Sequence, residues 1–168
     1  MAIVTNSRAG LKAAERATIL QLRDPGATVA ALEVQALELV ASSPLPVVVS
    51  SRCDVVLAAG AAGVNLPEHD ISVAAARSLL GDRLVGRSVH SLDVALEAEA
   101  AGADFVIFGP VWSSPTHPSS APLGVAALAE IAHRLRIPVL AIGGVTVERI
   151  DECHAAGAAG YAAISLFA

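Results

Sequence analysis

The chain has 168 residues, of which 54% are hydrophobic and 3% aromatic, and its formal net charge is −5. This length predicts a single domain over residues 1–168, and the acidic charge balance argues against a nucleic-acid partner. No apolar run reaches the ~18 residues of a membrane span, and the opening MAIVTNSRAG lacks the regions of a signal peptide. We therefore expect no membrane partner and a cytoplasmic location.

The scarcity of lysine excludes two classes of enzyme. Lys12 is the only lysine, and it lies in SRAGLKAAERA, which has the period of a short amphipathic helix. Phosphate-loop nucleotide enzymes and Schiff-base aldolases each need a lysine among their catalytic groups, so neither class fits. Cys53 and Cys153 lack the spacing of metal ligands, and we expect both to be small buried residues.

Short runs rich in β-branched residues alternate along the chain with alanine-rich segments of helical period. Apolar strands that alternate with helices predict a parallel sheet covered by those helices. Eight such units that close on themselves form an α/β fold, the (β/α)8 TIM barrel, which we predict; an open doubly wound sheet is the alternative. The predicted strands are residues 2–6, 18–24, 46–51, 63–67, 84–90, 104–111, 138–145 and 160–167.

Two features of this barrel are unusual. Few residues separate the first two strands, which predicts a shortened helix 1, and Ala168 follows strand 8 directly, so we expect no final helix 8. Such barrels typically run to ~250 residues, so this one is compact. Without a final helix, the outer face between strands 8 and 1 should be bare and apolar. Because such a strip usually marks an interface, we expect a homodimer through the strand 8/strand 1 seam, or another partner there.

The ends of strands 7 and 8 predict a phosphate site, since the site of a TIM barrel forms at the carboxyl ends of its strands. AIGGVTVERI places Gly143 and Gly144 between strand 7 and a predicted helix, and AAISLF places Ile164 and Ser165 at the end of strand 8. Free amides at such a turn bind anions, which favours a phosphate held between the two segments. The alternative is that the glycines only permit a tight turn.

Strand 2 is predicted to carry a buried cation. Side chains two residues apart point together, so Gln21 and Arg23 share one face of strand 2, and in a barrel that face is the interior. A buried guanidinium requires an anion. The anion is either a ligand carboxylate or phosphate, or an internal partner, Asp54 or Asp70.

Two histidines are candidates for acid–base chemistry. His90 shares a face of strand 5 with Ser88, at the predicted rim of the barrel beside the phosphate site. His117 is the one titratable group of GPVWSSPTHPSSAPLG, which spans residues 109–124 between strand 6 and a helix. Histidine suits proton transfer at neutral pH, although a lone histidine is also commonly a structural or solvated group.

The motifs QLRD, GVNLPEHD, GRSVHSLDVALEAEAAGADFVIFGPVW, PLG, PVLAIGGV and AAISLF occur in this order. Together they resemble the family of the thiamine phosphate synthases and the TenI-type thiazole tautomerases, over nearly the whole chain. The stretch over residues 86–111 is the most specific and is closer to the TenI branch. The resemblance implies a TIM barrel and a role in thiamine biosynthesis.

The resemblance to the synthases is incomplete at the diphosphate and magnesium groups. Gln21, Arg23 and Ser88 match residues that bind the pyrimidine diphosphate, and Asp70 matches one of the two magnesium carboxylates. However, Pro25 and His117 stand where the synthases have lysines, and the residues at 50–51 are serines in place of an Asn-Asp pair. A single carboxylate is a poor Mg²⁺ site, so the resemblance implies no metal unless the chain is a synthase, in which case Asp70 would bind Mg²⁺.

The resemblance to the thiazole-phosphate half of the family site is better preserved. Gly124, the Gly143–Gly144 pair, and Ile164 with Ser165 match positions that bind the phosphate of the thiazole. TenI-type tautomerases shift a proton on a carboxythiazole phosphate and use no cofactor. Their catalytic histidine falls at Pro110 in this chain, so we expect His117 or His90 to carry the proton instead.

The sequence thus leaves several functions open. The first is a TenI-like tautomerase; the alternatives are a thiamine phosphate synthase, which joins the thiazole phosphate to hydroxymethylpyrimidine diphosphate, and a catalytically silent barrel that binds a thiazole phosphate. An epimerase or isomerase of another phosphate-binding barrel would need two facing acid–base groups. Magnesium dependence separates the synthase from the tautomerase, and turnover separates both from the silent barrel.

Overall fold

The strands form one parallel sheet that closes into a barrel. A computed structural model describes residues 1–113 and 121–168, and eight strands within them pair in the order β1-β2-β3-β4-β5-β6-β7-β8. A further bridge between Ala2 and Ala163 joins the two ends of the sheet, which confirms the TIM barrel. The strands are β1 Ala2–Val4, β2 Leu20–Leu22, β3 Val47–Ser50, β4 Gly63–Leu66, β5 Leu84–Val89, β6 Phe105–Phe108, β7 Val139–Ile142 and β8 Gly160–Ala162.

Helices follow the strands and cover the outside of the barrel. Several begin at a residue whose side-chain oxygen accepts a hydrogen bond from a backbone amide three residues on, as at Asn6, Thr28, Ser72 and Ser91. No helix in the described ranges is long and apolar enough to cross a membrane. The helices are α1 Ser7–Ala13, α2 Val29–Ser42, α3 Cys53–Ala59, α4 Val73–Leu80, α5 Leu92–Ala100, α6 Gly124–Arg134 and α7 Ile150–Ala155.

The short α1 matches the shortened helix 1 that the sequence predicts, but the predicted strand over 160–167 is too long. Only Gly160–Ala162 pair with β7, and Ser165–Phe167 form a 3-10 turn. A second 3-10 turn, Val147–Arg149, precedes α7. No α-helix follows β8 in the part of the chain that the structure describes.

The predicted bare seam between β8 and β1 is wrong, because the last 3-10 turn folds back over it. Phe167 is only 8% exposed, and its ring lies 6.2 Å from that of Tyr161 in a stacked arrangement. The outward side chains of β1, Ala2 and Val4, are buried in the same cluster as Phe167. Among the described residues, the junction of β8 and β1 is therefore covered by this turn, and the homodimer stays a prediction without the support of a bare seam.

The barrel interior is built in layers of side chains from alternate strands, as in other TIM barrels. The pairing registers bring four inward residues of β2, β4, β6 and β8 to one height: Gln21, Asn65, Ile107 and Ala162. Two of the four are polar, although all four are buried. The floor of any site above this layer is therefore half apolar and half amide.

Candidate active site

A cleft of about 700 Å³ opens at the carboxyl ends of β5 to β8. This is the end at which TIM barrels place their sites, and the volume suits a small ligand. Six of the residues predicted for the site line it together: Ser88, His90, Gly143, Gly144, Ile164 and Ser165. The structure therefore brings the predicted proton carrier and the predicted phosphate site into one cavity.

Other predicted residues lie elsewhere. Gln21 is buried in the interior layer, and Gly124 begins α6 at φ 86°; neither lines the cleft. The prediction of a buried Arg23 is wrong, because β2 ends at Leu22 and Arg23 is exposed. His117 lies outside the described residues.

The internal ion pairs considered for Arg23 are also absent among residues 1–113 and 121–168. Asp54 is instead bonded by the guanidinium of Arg52, and this hydrogen bond lowers the pKa of the Asp54 carboxyl. Asp70 accepts a hydrogen bond from the backbone amide of Ile71 at 2.7 Å. Arg23 is therefore a solvated cation, with no acidic partner in the part of the chain described.

His90 is held by two contacts that define which ring nitrogen is available. Its backbone amide donates to the Glu68 carboxylate at 2.8 Å, and its Nδ1 is hydrogen-bonded to the carbonyl of Gly109. A carbonyl only accepts, so Nδ1 carries the hydrogen, and Nε2 of the neutral ring is left with its lone pair. His90 can therefore accept a proton through Nε2.

The Gly143–Gly144 turn packs directly on the loop that follows β6. Both glycines have positive φ, 89° and 65°. A Cβ at Gly143 would lie 2.5 Å from Cβ of Pro110, and one at Gly144 would lie 2.5 Å from the Ser113 carbonyl oxygen. Glycine is therefore required at both positions for two reasons: the positive φ and the lack of space for a Cβ. The turn alone thus accounts for both glycines, so only the other groups around it support a phosphate site.

Arg149 is a cleft residue that the sequence analysis missed. It ends the 3-10 turn after Gly144, and its Nη1 donates to the Gly144 carbonyl at 2.6 Å. Its guanidinium carbon lies 5.0 Å from the centroid of the Trp112 ring. The available signal was a single arginine within a few residues of the glycine pair in AIGGVTVERI.

Polar groups continue below the cleft into the barrel. The Asn65 amide donates from Nδ2 to Oγ of Ser88 at 3.1 Å, which links the cleft to the interior layer. The carbonyl oxygens of Gln21 and Asn65 are buried and have no hydrogen-bond partner among the described residues. Buried acceptors of this kind normally find a donor, from protein, water or ligand.

The residues present do not fit the magnesium site of the synthases. The described ranges contain no group of three or more histidine, cysteine, aspartate or glutamate side chains placed to hold a metal ion. At the positions of the Asn-Asp pair, Ser50 ends β3 and Ser51 follows at φ 66°. Serine hydroxyls carry no charge to balance Mg²⁺ and a diphosphate together, so we derive no step through that metal.

Comparison with known proteins finds relatives named thiamine-phosphate synthase. A family model described as thiamine monophosphate synthase matches residues 5–167. The putative thiamine-phosphate synthase 2 of Aquifex aeolicus is 40% identical over 119 residues, which are 71% of this chain and 64% of that protein. The thiamine-phosphate synthase of Chloroflexus aurantiacus is 38% identical over 153 residues, or 89% of this chain and 71% of that protein.

Solved structures agree with these relatives. The thiamine phosphate pyrophosphorylase of Pyrococcus furiosus superposes with a TM-score of 0.89 at 29% identity, covering 98% of this chain and 84% of that one. FabK of Thermotoga maritima superposes with a TM-score of 0.82 at 18% identity, over 99% of this chain and 58% of that one, which shows the fold alone. With a family model that spans nearly its whole length, the chain belongs to the thiamine monophosphate synthase family.

Proposed function

We propose that the chain acts on a thiazole phosphate in thiamine biosynthesis, and that its reaction is the proton shift of a TenI-like tautomerase. The observation that carries this proposal is the placement of His90, whose Nδ1 is hydrogen-bonded to the Gly109 carbonyl, in the same cleft as the glycine turn, Arg149 and Ser165. Such a cleft combines an anion-binding end with one base, which is all that the isomerisation of a phosphorylated substrate requires.

In this mechanism His90 acts first as a base and then as an acid. Nε2 accepts a proton from the carboxythiazole ring, and the imidazolium then returns one proton to a different position, so that the ring becomes aromatic with no net gain or loss of protons. The Gly109 carbonyl stabilises the imidazolium because it accepts from Nδ1 in either state. The Glu68 carboxylate holds the backbone amide of His90, which keeps the base at the rim.

The thiamine-phosphate synthase reaction is the second candidate, and the names of the relatives favour it over the first. Gln21 also matches a synthase residue. Against it stand Pro25, where the synthases have a lysine, and Ser50 and Ser51, which replace a pair that helps to bind Mg²⁺; a diphosphate would lack these cations as it departs. A synthase built on this chain would have to balance that charge by groups other than those of the family pattern.

One experiment separates these reactions. The purified chain is mixed in single turnover with the carboxythiazole phosphate tautomer in the absence of metal. It is also mixed with the thiazole phosphate, hydroxymethylpyrimidine diphosphate and Mg²⁺. A tautomerase converts the first substrate alone and without metal, whereas a synthase forms thiamine phosphate only with Mg²⁺. Binding of the thiazole phosphate with neither reaction would contradict both and leave a silent binding barrel.

The proton carrier is tested in the same assay. We expect His90→Gln to lower the tautomerisation rate about 100-fold or more, the usual contribution of a positioned base. His133→Gln is the matched control, because the His133 ring is also bonded through Nδ1 to a backbone carbonyl, that of Ala129, but lies exposed on α6 outside the cleft. Loss of the rate in His117→Ala and not in His90→Gln would assign the proton to the loop histidine.

A further inference from the structure

The described lining of the cleft carries one fixed charge. Among the described residues that line it, Arg149 is the only arginine or lysine, and no aspartate or glutamate lines it. The other polar groups are hydroxyls, backbone amides and the His90 ring. A cavity with a lone cation and no carboxylate attracts an anion more strongly than it attracts a neutral ligand of the same shape.

Two contacts hold the guanidinium in place before any ligand arrives. Nη1 donates to the Gly144 carbonyl at 2.6 Å, and the guanidinium carbon lies over the Trp112 ring, 5.0 Å from the ring centroid. A guanidinium has five N–H donors, and the hydrogen bond to Gly144 uses one of them. Because the side chain is half-buried and already ordered, little rotamer freedom remains to be lost on binding.

The same contacts connect the cation to the glycine turn. A Cβ at Gly144 would lie 2.7 Å from Cβ of Trp112, and the Trp112 amide donates to the Gly143 carbonyl at 3.1 Å. Arg149 closes this arrangement from the other side, through the Gly144 carbonyl. The turn, the indole and the guanidinium thus form one unit, which we call the arginine clamp: Gly143, Gly144, Trp112 and Arg149.

We propose that Arg149 is the specificity-determining residue that selects a phosphomonoester over the corresponding alcohol. The inference rests on the proposed function for the identity of the organic part, a thiazole, but not for the phosphate. A planar guanidinium offers paired donors that match two oxygens of a phosphate, and this contact is lost entirely when the ligand ends in a hydroxyl.

Calorimetric titration tests this inference with three probes: hydroxyethylthiazole phosphate, the free thiazole alcohol and inorganic phosphate. The readout is the ratio of the dissociation constant of the alcohol to that of the phosphate ester. We expect Arg149→Gln to reduce this ratio at least about tenfold, and Arg149→Lys to reduce it less, since lysine keeps the charge but not the fork. Arg134→Gln removes the same charge from the exposed end of α6 and should leave the ratio unchanged.

The outcomes are distinguishable. An unchanged ratio in Arg149→Gln, or equal weakening of both thiazole ligands, would overturn the inference and leave Arg149 a structural residue. If Arg149→Gln does not unfold cooperatively, the same ratio is measured in Arg149→Lys. An unchanged ratio in that variant overturns the inference. If the wild type binds neither thiazole but binds inorganic phosphate in an Arg149-dependent manner, the proposed function fails and the inference stands. If the wild type binds neither the phosphate ester nor inorganic phosphate, the inference is overturned.

Discussion

Gly144 shows how a single residue couples backbone conformation to the candidate site. Its φ of 65° is costly for any residue with a Cβ, and a Cβ there would also lie 2.5 Å from the Ser113 carbonyl oxygen. Gly60 has nearly the same φ, 67°, at the end of α3, but a Cβ there would meet nothing within 4 Å. Alanine substitutions at Gly60 and Gly144 therefore distinguish conformational strain from steric contact.

We expect Gly60→Ala to lower the free energy of unfolding by about 1 kcal/mol, which is the strain of the left-handed conformation alone. Gly144→Ala should cost more than this, because the turn must also move away from Ser113 and Trp112. It should also abolish calorimetric binding of the thiazole phosphate. Urea unfolding of both variants measures the difference, and equal costs with binding retained would contradict the close approach.

At the level of secondary-structure elements, one arginine links α4 to β5 and β6. Arg77, on α4, donates to the carbonyls of Gly81, Arg83 and Gly102 at 2.9, 2.6 and 2.8 Å, and to the Asp104 carboxylate at 2.6 Å. Asp104 in turn accepts from the backbone amide of Val85, at the start of β5. The group thus ties the end of α4 to the beginnings of β5 and β6, on the face opposite the cleft.

Arg77→Ala should lower the free energy of unfolding by about 2 kcal/mol, since several carbonyls lose a charged donor but remain partly accessible to water. The rate of the catalysed reaction should not change, because none of these groups lines the cleft. Arg8→Ala, on the exposed face of α1, is the control for loss of a positive charge. If Arg77→Ala changes the free energy of unfolding as little as Arg8→Ala does, water fully replaces the hydrogen bonds that Arg77 donates.

Packing inside the barrel depends on a glycine and a ring from neighbouring strands. A Cβ at Gly86 of β5 would lie 2.1 Å from Cζ of Phe105 on β6, so the ring occupies the space that a side chain would take. By contrast, a Cβ at Gly160 of β8 would meet its nearest neighbour, Cδ2 of Leu140, at 3.5 Å. Only the first glycine is required by close packing.

Gly86→Ala should therefore cost about 2 kcal/mol of unfolding free energy through overpacking, whereas Gly160→Ala should cost little. Adding Phe105→Leu to Gly86→Ala should recover part of the loss, because a smaller side chain admits the new methyl group. A double-mutant cycle in urea measures this coupling. Strictly additive effects of the two substitutions would rule out the contact as the cause.

For the whole molecule, the decisive feature is how the barrel closes. The bridge between Ala2 and Ala163 joins the first and last strands, and Phe167 covers the outside of that junction together with Tyr161. The sequence pattern predicts a strand over residues 160–167 and a bare seam. The actual turn supplies the apolar cover that a helix provides elsewhere in the barrel.

Phe167→Ala should lower the free energy of unfolding by about 3 kcal/mol and uncover the apolar residues of β1. An uncovered seam should also increase self-association, which light scattering measures across a range of protein concentrations. The wild-type measurement in the same series tests the predicted homodimer. Unchanged stability and unchanged association in the variant would mean that the turn does not protect the seam.

Much of the fold and part of the site follow from local sequence patterns. The strand and helix periods, the parallel order and the clustering of Ser88, His90, the glycine pair and Ser165 at one end depend on residues close in the chain and on the known closure of such units. In a parallel barrel, the carboxyl ends of all the strands lie at the same end of the barrel. This is why the cleft could be predicted without any knowledge of side-chain contacts.

The remaining features depend on contacts between distant residues, which no local pattern encodes. Arg23 is exposed because β2 ends at Leu22, two residues earlier than predicted, and the tautomer of His90 depends on the carbonyl of Gly109, which follows the neighbouring strand β6. Arg149 takes its role from Trp112, which precedes it by a strand and a helix. The sequence thus determined the barrel and the end at which its cleft opens. Only the tertiary structure decided which atoms of that cleft carry the charge and the lone pair, because those depend on what lies across from each side chain.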